Sequence, residues 1–217
     1  MSAPTSLDQP IETPRLAVLL SGGGTTLQNL IDRIAAGQLR AEIAVVVASR
    51  ADAFGLERAR RAGIPAEAVV RRDYADVGAF NDALHAVLDR YSFDLIVLAG
   101  FLSPLEMRGR YAHRVLNIHP SLLPAFGGKG FYGERVHHAA LESGVKVSGC
   151  TVHFADDEYD RGPIVLQGVV AVEDEDTAET LAARVHQVEN ELYPEAIRLW
   201  ASGELVIAGR RVVRRPK

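Results

Sequence analysis

The chain has one cysteine, Cys150, so an internal disulfide framework is excluded and a reducing compartment is expected. It has no surplus of basic charge. A net charge of −4 over 217 residues lacks the positive face that a nucleic-acid binder turns toward phosphates. No apolar run approaches the ~18 residues of a membrane span, and residues 1–13 lack the charged-then-apolar layout of a signal peptide. Internal repeats and low-complexity stretches are missing too. Together these absences predict a soluble, cytoplasmic protein with no nucleic-acid and no membrane partner.

What is present is a full-sized core and a regular rhythm. The 47% hydrophobic content is enough for one domain of this length. Residues 1–14, rich in Pro, Ser and Thr, read as a flexible arm, 15–213 as a single domain, and 214–217 as a basic tail. Apolar runs at 15–21, 42–49, 67–70, 94–99 and 114–119 read as strands. Helices are expected after Gly24, over 55–62 and over 77–91, where apolar residues recur at helical spacing. This βαβ alternation implies an α/β fold: a doubly wound, mostly parallel, Rossmann-like sheet with helices on both faces. The second half departs from it. Runs at 146–154 and 163–172, joined by an acidic turn, read as an antiparallel element. A helix from Leu181 is expected to kink or restart at Pro194, and a terminal hairpin turns around Gly209.

Between the first strand and first helix lies Ser21-Gly22-Gly23-Gly24-Thr25-Thr26. Glycines let the backbone approach an anion, and a helix N-terminus offers free N–H groups. The threonine hydroxyls add donors and are candidate caps. A dinucleotide fingerprint is excluded because Leu27 stands where its third glycine belongs, and the second strand ends without an acidic residue. A P-loop is excluded because no Gly-Lys-Ser/Thr follows. A phosphate fits the turn, and so does a tight turn without a ligand.

The segment Asn117-Ile118-His119-Pro120-Ser121-Leu122-Leu123-Pro124 carries the chemistry. Alternation along a strand puts Asn117 and His119 on one face. An amide donor beside an imidazole suits the oxyanion formed when an amine attacks a formyl carbon. A carboxylate would help keep that imidazole charged. Of the acids in the turn 156–160, Asp160 is the most restricted, being followed by Arg161-Gly162-Pro163. A structural histidine beside a solvated acidic turn fits the same residues.

Taken together, SGGGTTLQNL (21–30), ADAFGLERARRAGIP (51–65), VLAGFLSPL (97–105), LNIHPSLLP (116–124), GCTVHFADDEYDRGPIVLQ (149–167) and ELYPEAIRLWASGEL (191–205) resemble phosphoribosylglycinamide formyltransferases, a family of folate-dependent formyltransferases. The resemblance runs from Arg15 to about Gly209. It implies 10-formyltetrahydrofolate as co-substrate, phosphoribosylglycinamide as acceptor in de novo purine (IMP) biosynthesis, and no metal. By position it implies Asn117, His119 and Asp160 as catalytic residues. It gives Gly24, Thr25, Thr26, Leu27, Gln28 and Glu189 to the acceptor, and Leu102, Ser103, Pro104, Leu105 and Asn117 to the folate.

Several positions depart from the family pattern. Thr25 and Thr26 replace a Ser-Asn pair, Val77 stands where some members place a folate-binding arginine, and His186 replaces a glutamine. The stretch after Leu102 lacks an Arg-Ile pair. The glycine-rich loop 126–133, with Lys129, is longer than usual and is a candidate lid or a plain insertion. Among siblings, methionyl-tRNA formyltransferase is expected to carry a further C-terminal domain. Formyltetrahydrofolate deformylase is expected to carry an N-terminal one. A non-catalytic phosphate-binding module of the same fold would not need the Asn117, His119 and Asp160 spacing.

Overall fold

The computed structural model describes residues 10–215 and the backbone of Thr5 and Ser6. In chain order the elements are β1 (Thr5–Ser6), β2 (Arg15–Leu20), α1 (Thr25–Ala35), β3 (Glu42–Ala48), α2 (Phe54–Arg61), β4 (Ala66–Ala68), a 3₁₀ turn (Arg71–Asp73), α3 (Val77–Leu88), β5 (Leu95–Leu98), β6 (Val115–His119), α4 (Glu134–Glu142), β7 (Val147–Phe154), β8 (Ile164–Ala171), α5 (Ala178–Ala201), β9 (Leu205–Ala208) and β10 (Arg211–Arg214). The chain groups into two compact units, Ile11–Leu116 and Met1–Pro10 with Asn117–Lys217.

In the first unit β2 lies between β5 and β3, and β4 follows β3, every pairing parallel. Leu16 to Leu20 and Val45 to Ala48 are fully buried, as central parallel strands covered on both faces require. Helix α1 turns Leu27 and Leu30 inward, and α3 does the same with Phe80, Leu84 and Leu88. Asp76 caps α3 by accepting from the Ala79 N–H at 2.8 Å.

In the second unit β7 pairs antiparallel with β8 over Val147–His153, and β9 and β10 form the terminal hairpin. Gly209, at φ 61°, supplies the left-handed turn between them. Strand β10 also meets β8 in parallel, and β1 adds to β9. The strands of the N-terminal unit are therefore parallel and the C-terminal unit carries an antiparallel element, as the sequence pattern implies. The expected arm over 1–14 lies partly outside the described residues, at 1–4 and 7–9, while Thr5 and Ser6 are strand-paired. The expected basic tail starts inside β10 at Arg214, and its residues 216–217 lie outside the description.

One local expectation is corrected, and one helix has no counterpart in the sequence reading. Pro194 does not restart a helix, because α5 runs unbroken from Ala178 to Ala201. Buried Tyr193, Ile197 and Leu199 on either side of the proline offset the one backbone bond it removes. Helix α4 was not expected at all, although Val136 and Ala140 stand one turn apart and are buried. Helix α5 packs on β7 and β8, and small residues set that approach. A Cβ at Gly168 would lie 2.3 Å from Val188 Cγ1, and one at Gly149 only 1.9 Å from the Gly168 carbonyl.

Candidate active site

In the C-terminal unit Asn117 and His119 stand at the end of β6, and Asp160 sits in the turn between β7 and β8. The structure brings them together around a fourth residue, His153. The His119 Nδ1 lies 3.6 Å from one oxygen of Asp160, and the His153 Nε2 lies 3.6 Å from the other. The Asn117 side-chain amide reaches the His153 Nε2 at 3.0 Å. Both imidazoles are almost wholly buried, and the Asp160 side chain is 12% exposed.

Backbone carbonyls fix the tautomers. The Phe154 carbonyl accepts from His153 Nδ1–H at 2.9 Å, so Nε2 is bare and accepts from Asn117. That leaves Asn117 a second amide hydrogen. Likewise the Phe126 carbonyl accepts from His119 Nε2–H at 2.8 Å, which turns the bare Nδ1 toward Asp160. Asp160 is held in turn by the Gly128 N–H, which donates to it at 2.8 Å. Its backbone is left-handed, φ 56°, a conformation Asp adopts more readily than most residues. Beside it lies a cavity of about 280 Å³ lined by Pro124, Gly127, Asp160, Arg161, Gly162 and Arg210.

Burial depresses the His119 pKa. It outweighs Asp160 and the Phe126 carbonyl, which both raise it. The expected carboxylate effect is thus present but loses to desolvation, and the resting ring is neutral at pH 7. For Asp160 the balance runs the other way. Burial raises its pKa, but the proton and positive charge that the His153 and His119 rings present when protonated, with the Gly128 N–H, bring it below the ordinary carboxylate value.

Glu189 lies on α5, where it accepts from the His186 Nδ1 at 2.9 Å. That contact raises the His186 pKa, against the opposing pull of burial.

In the N-terminal unit the glycine turn is braced from α2. Gly24 is the N-cap of α1 at φ 72°, and no side chain caps the helix; the expected threonine cap is not formed. The first-turn N–H groups are accordingly left without a side-chain acceptor. Leu27 is fully buried. A Cβ on Gly24 would lie 2.7 Å from the Gly55 Cα, and one on Gly55 would lie 2.4 Å from Leu20. The Gly55 N–H donates to the Gly22 carbonyl at 3.1 Å. Arg58 donates to the Gly23 carbonyl at 2.8 Å and to Gln28 at 3.0 Å, its guanidinium 5.0 Å over the Phe54 ring. The other side of the turn holds the start of the 102–105 segment, since Ser21 Oγ accepts from the Leu102 N–H at 2.8 Å. The Leu102 side chain is exposed, and Ser103, Pro104 and Leu105 are half-buried.

A family model described as "Formyl transferase" matches residues 14–197. The chain belongs to the formyl transferase family. It is 40% identical over 193 residues to phosphoribosylglycinamide formyltransferase of Haemophilus influenzae, covering 88% of this chain and 89% of that protein. It is 41% identical over 191 residues to the trifunctional purine biosynthetic protein adenosine-3 of Bos taurus, of whose length it spans 18%. Among solved structures, glycinamide ribonucleotide transformylase 1 of Symbiobacterium toebii matches with a TM-score of 0.88 at 48% identity, covering 94% of each chain. A formyltetrahydrofolate deformylase of Pseudomonas syringae matches with a TM-score of 0.82 at 26% identity, over 93% of this chain and 66% of that one.

Within this family frame, sequence reasoning missed the residues that hold the others in place. His153 and Thr151 share a face of β7, a two-residue alternation that could have marked them. Thr151 Oγ1 donates to the Ser121 carbonyl at 2.7 Å and accepts from the Leu123 N–H at 3.0 Å. Gln167, its register partner on β8, donates to the Leu123 carbonyl at 3.0 Å. These bonds fix the segment that follows His119. Arg58 carried no such signal, because only the fold brings it to the glycine turn.

Proposed function

We propose that this formyl transferase moves the formyl group of 10-formyltetrahydrofolate to the amine of phosphoribosylglycinamide in de novo purine synthesis. The observation that carries the reading is the buried Asn117–His153–Asp160–His119 cluster. As the amine attacks the formyl carbon, the carbonyl oxygen becomes an oxyanion, to which Asn117 donates its free amide hydrogen. With its own proton on Nδ1 toward Asp160 and Nε2 freed, neutral His119 takes at Nε2 the proton that the amine must lose and returns it from Nε2 to the departing folate nitrogen. While it carries that proton, Asp160 stabilises the imidazolium. Donating from Nε2 requires the ring to release the Phe126 carbonyl.

Gly24, Thr25, Thr26, Leu27 and Gln28 hold the acceptor's phosphate and ribose, with N–H groups and hydroxyls doing what charge does elsewhere. Glu189, oriented by His186, takes the sugar hydroxyls. Residues 102–105 are assigned to the folate donor, and Asn117 to the donor's formyl group. Residues 15–213 serve as one formyltransferase domain, with two small molecules as partners and the cytoplasm as the site of reaction.

The test is a spectroscopic assay of folate deformylation with and without phosphoribosylglycinamide. Transfer should require the acceptor, and His119→Ala and Asp160→Asn should each lower turnover ~10²–10⁴-fold. Asparagine is chosen because it tolerates the left-handed backbone at 160. Formate release that ignores the acceptor would assign the chain to deformylation instead. Near-normal turnover in either variant would remove that residue from the mechanism.

A further inference from the structure

The segment after Leu102 is irregular backbone, and something outside it must hold its shape. In the N-terminal unit that support comes from one face of α3. Asn81 is fully buried, and its amide brackets the segment. Its Oδ1 accepts from the Glu106 N–H at 2.9 Å, and its Nδ2 donates to the Pro104 carbonyl at 3.2 Å and to the Val77 carbonyl at 2.9 Å. One turn on, buried His85 takes the next backbone group. Its Nε2–H donates to the Glu106 carbonyl at 3.0 Å, since a carbonyl only accepts. The bare Nδ1 then accepts from the Tyr111 hydroxyl at 3.1 Å, with the two rings stacked 5.6 Å apart.

The spacing is what a helix allows. Residues four apart lie above one another, so Asn81 and His85 meet consecutive points of a strand-like segment running past them. Both backbone groups of Glu106 and the carbonyl of Pro104 are thereby paired by side chains alone. Leaving any of these part-buried groups unpaired carries a desolvation cost, so the segment has one well-defined path while both side chains are present.

We infer that Asn81 and His85 are positioning residues that set the shape of the donor-side wall at 102–105, and through it the affinity for the folate. This rests on the reading above that residues 102–105 line the donor site. Neither side chain touches the folate. They act through the backbone at 104 and 106, so their loss should appear in donor KM and not in the chemical step.

The experiment compares steady-state formyl transfer by purified His85→Leu, His85→Gln, Asn81→Ala and Leu102→Ala proteins with the unsubstituted chain. His85→Leu and Asn81→Ala should raise the KM for 10-formyltetrahydrofolate ~10-fold, leaving acceptor KM and kcat within about twofold. Glutamine at 85 can donate and accept from one amide, and should recover most of the donor affinity. Donor KM unchanged in a folded His85→Leu or Asn81→Ala protein overturns the inference, as does a matching change in all three parameters. Should Asn81→Ala fail to fold, Tyr111→Phe, which removes only the bond to Nδ1, carries the test, with a donor KM raised ~3-fold expected and no change refuting. Leu102→Ala separates the two claims. If it raises donor KM while the α3 variants do not, only the positioning role fails. If it leaves donor KM untouched in a chain that transfers formyl groups, the wall assignment itself fails.

Discussion

Gly162→Ala tests whether the turn carrying Asp160 must lie as close to β7 as it does. A methyl group at 162 would stand 1.8 Å from the Phe154 carbonyl oxygen and 2.8 Å from its carbon, both rigid backbone atoms. Relief to a tolerable contact requires turn and strand to part by about 1.2 Å, a shift that cannot be taken up by a side chain. Two bonds lie in its path. One is the Phe154 N–H to Pro163 carbonyl bond at 2.9 Å, and the other is the His153 Nδ1–H to Phe154 carbonyl bond that fixes the His153 tautomer. Overpacking of this kind costs ~1–3 kcal/mol and a lost hydrogen bond ~1 more. For a chain of this size that lowers Tm by roughly 5–15 °C. A displacement near 1 Å at a catalytic group costs ~10²-fold in turnover. Thermal melts and formyl-transfer kinetics measure both. A Tm drop with turnover within twofold would show that the turn supports the fold but does not aim Asp160. No change in either would refute the close-approach reasoning.

Stability should fall as pH is lowered from 7.5 to 5.5. Burial depresses the pKa of His85, His119 and His137, so the folded chain resists protons that the unfolded chain takes up. Their contribution is full above about pH 6.5 and is lost as pH falls toward the depressed folded values. His186, raised by Glu189, has the opposite sign, but it is one half-exposed group against three buried ones. Urea midpoints that stay level or rise across this range would contradict the prediction. Thr25→Val and Thr26→Val should weaken acceptor binding several-fold with little effect on kcat, and an unchanged acceptor KM would remove the hydroxyls from the phosphate site.

The architecture was legible because its signals are local. Continuous apolar runs such as EIAVVVA mark strands buried on both faces, and the alternation of such runs with helical spacing implies a parallel sheet. Helix α4 escaped because it is only nine residues long and follows a glycine-rich stretch with no capping side chain. At Pro194 the local rule allows a restart, and tertiary packing keeps the helix continuous instead. At the site, Asn117, His119 and Asp160 stood out as polar or restricted positions at strand ends and turns. His153 and Thr151 lie inside an apolar strand and read as ordinary core, although their polar atoms organise the others. The charge state of His119 was legible only in part, because a sequence names the carboxylate but not the depth of burial opposing it.

The bare backbone at Gly168 acts as a spacer of zero thickness beneath α5. Val188 rests where a side chain would otherwise stand, and Glu189 is the next residue along the same helix. The height of that carboxylate above the sheet is therefore calibrated by an atom that is missing. Adding one methyl at 168 would press directly on Val188, one residue before Glu189.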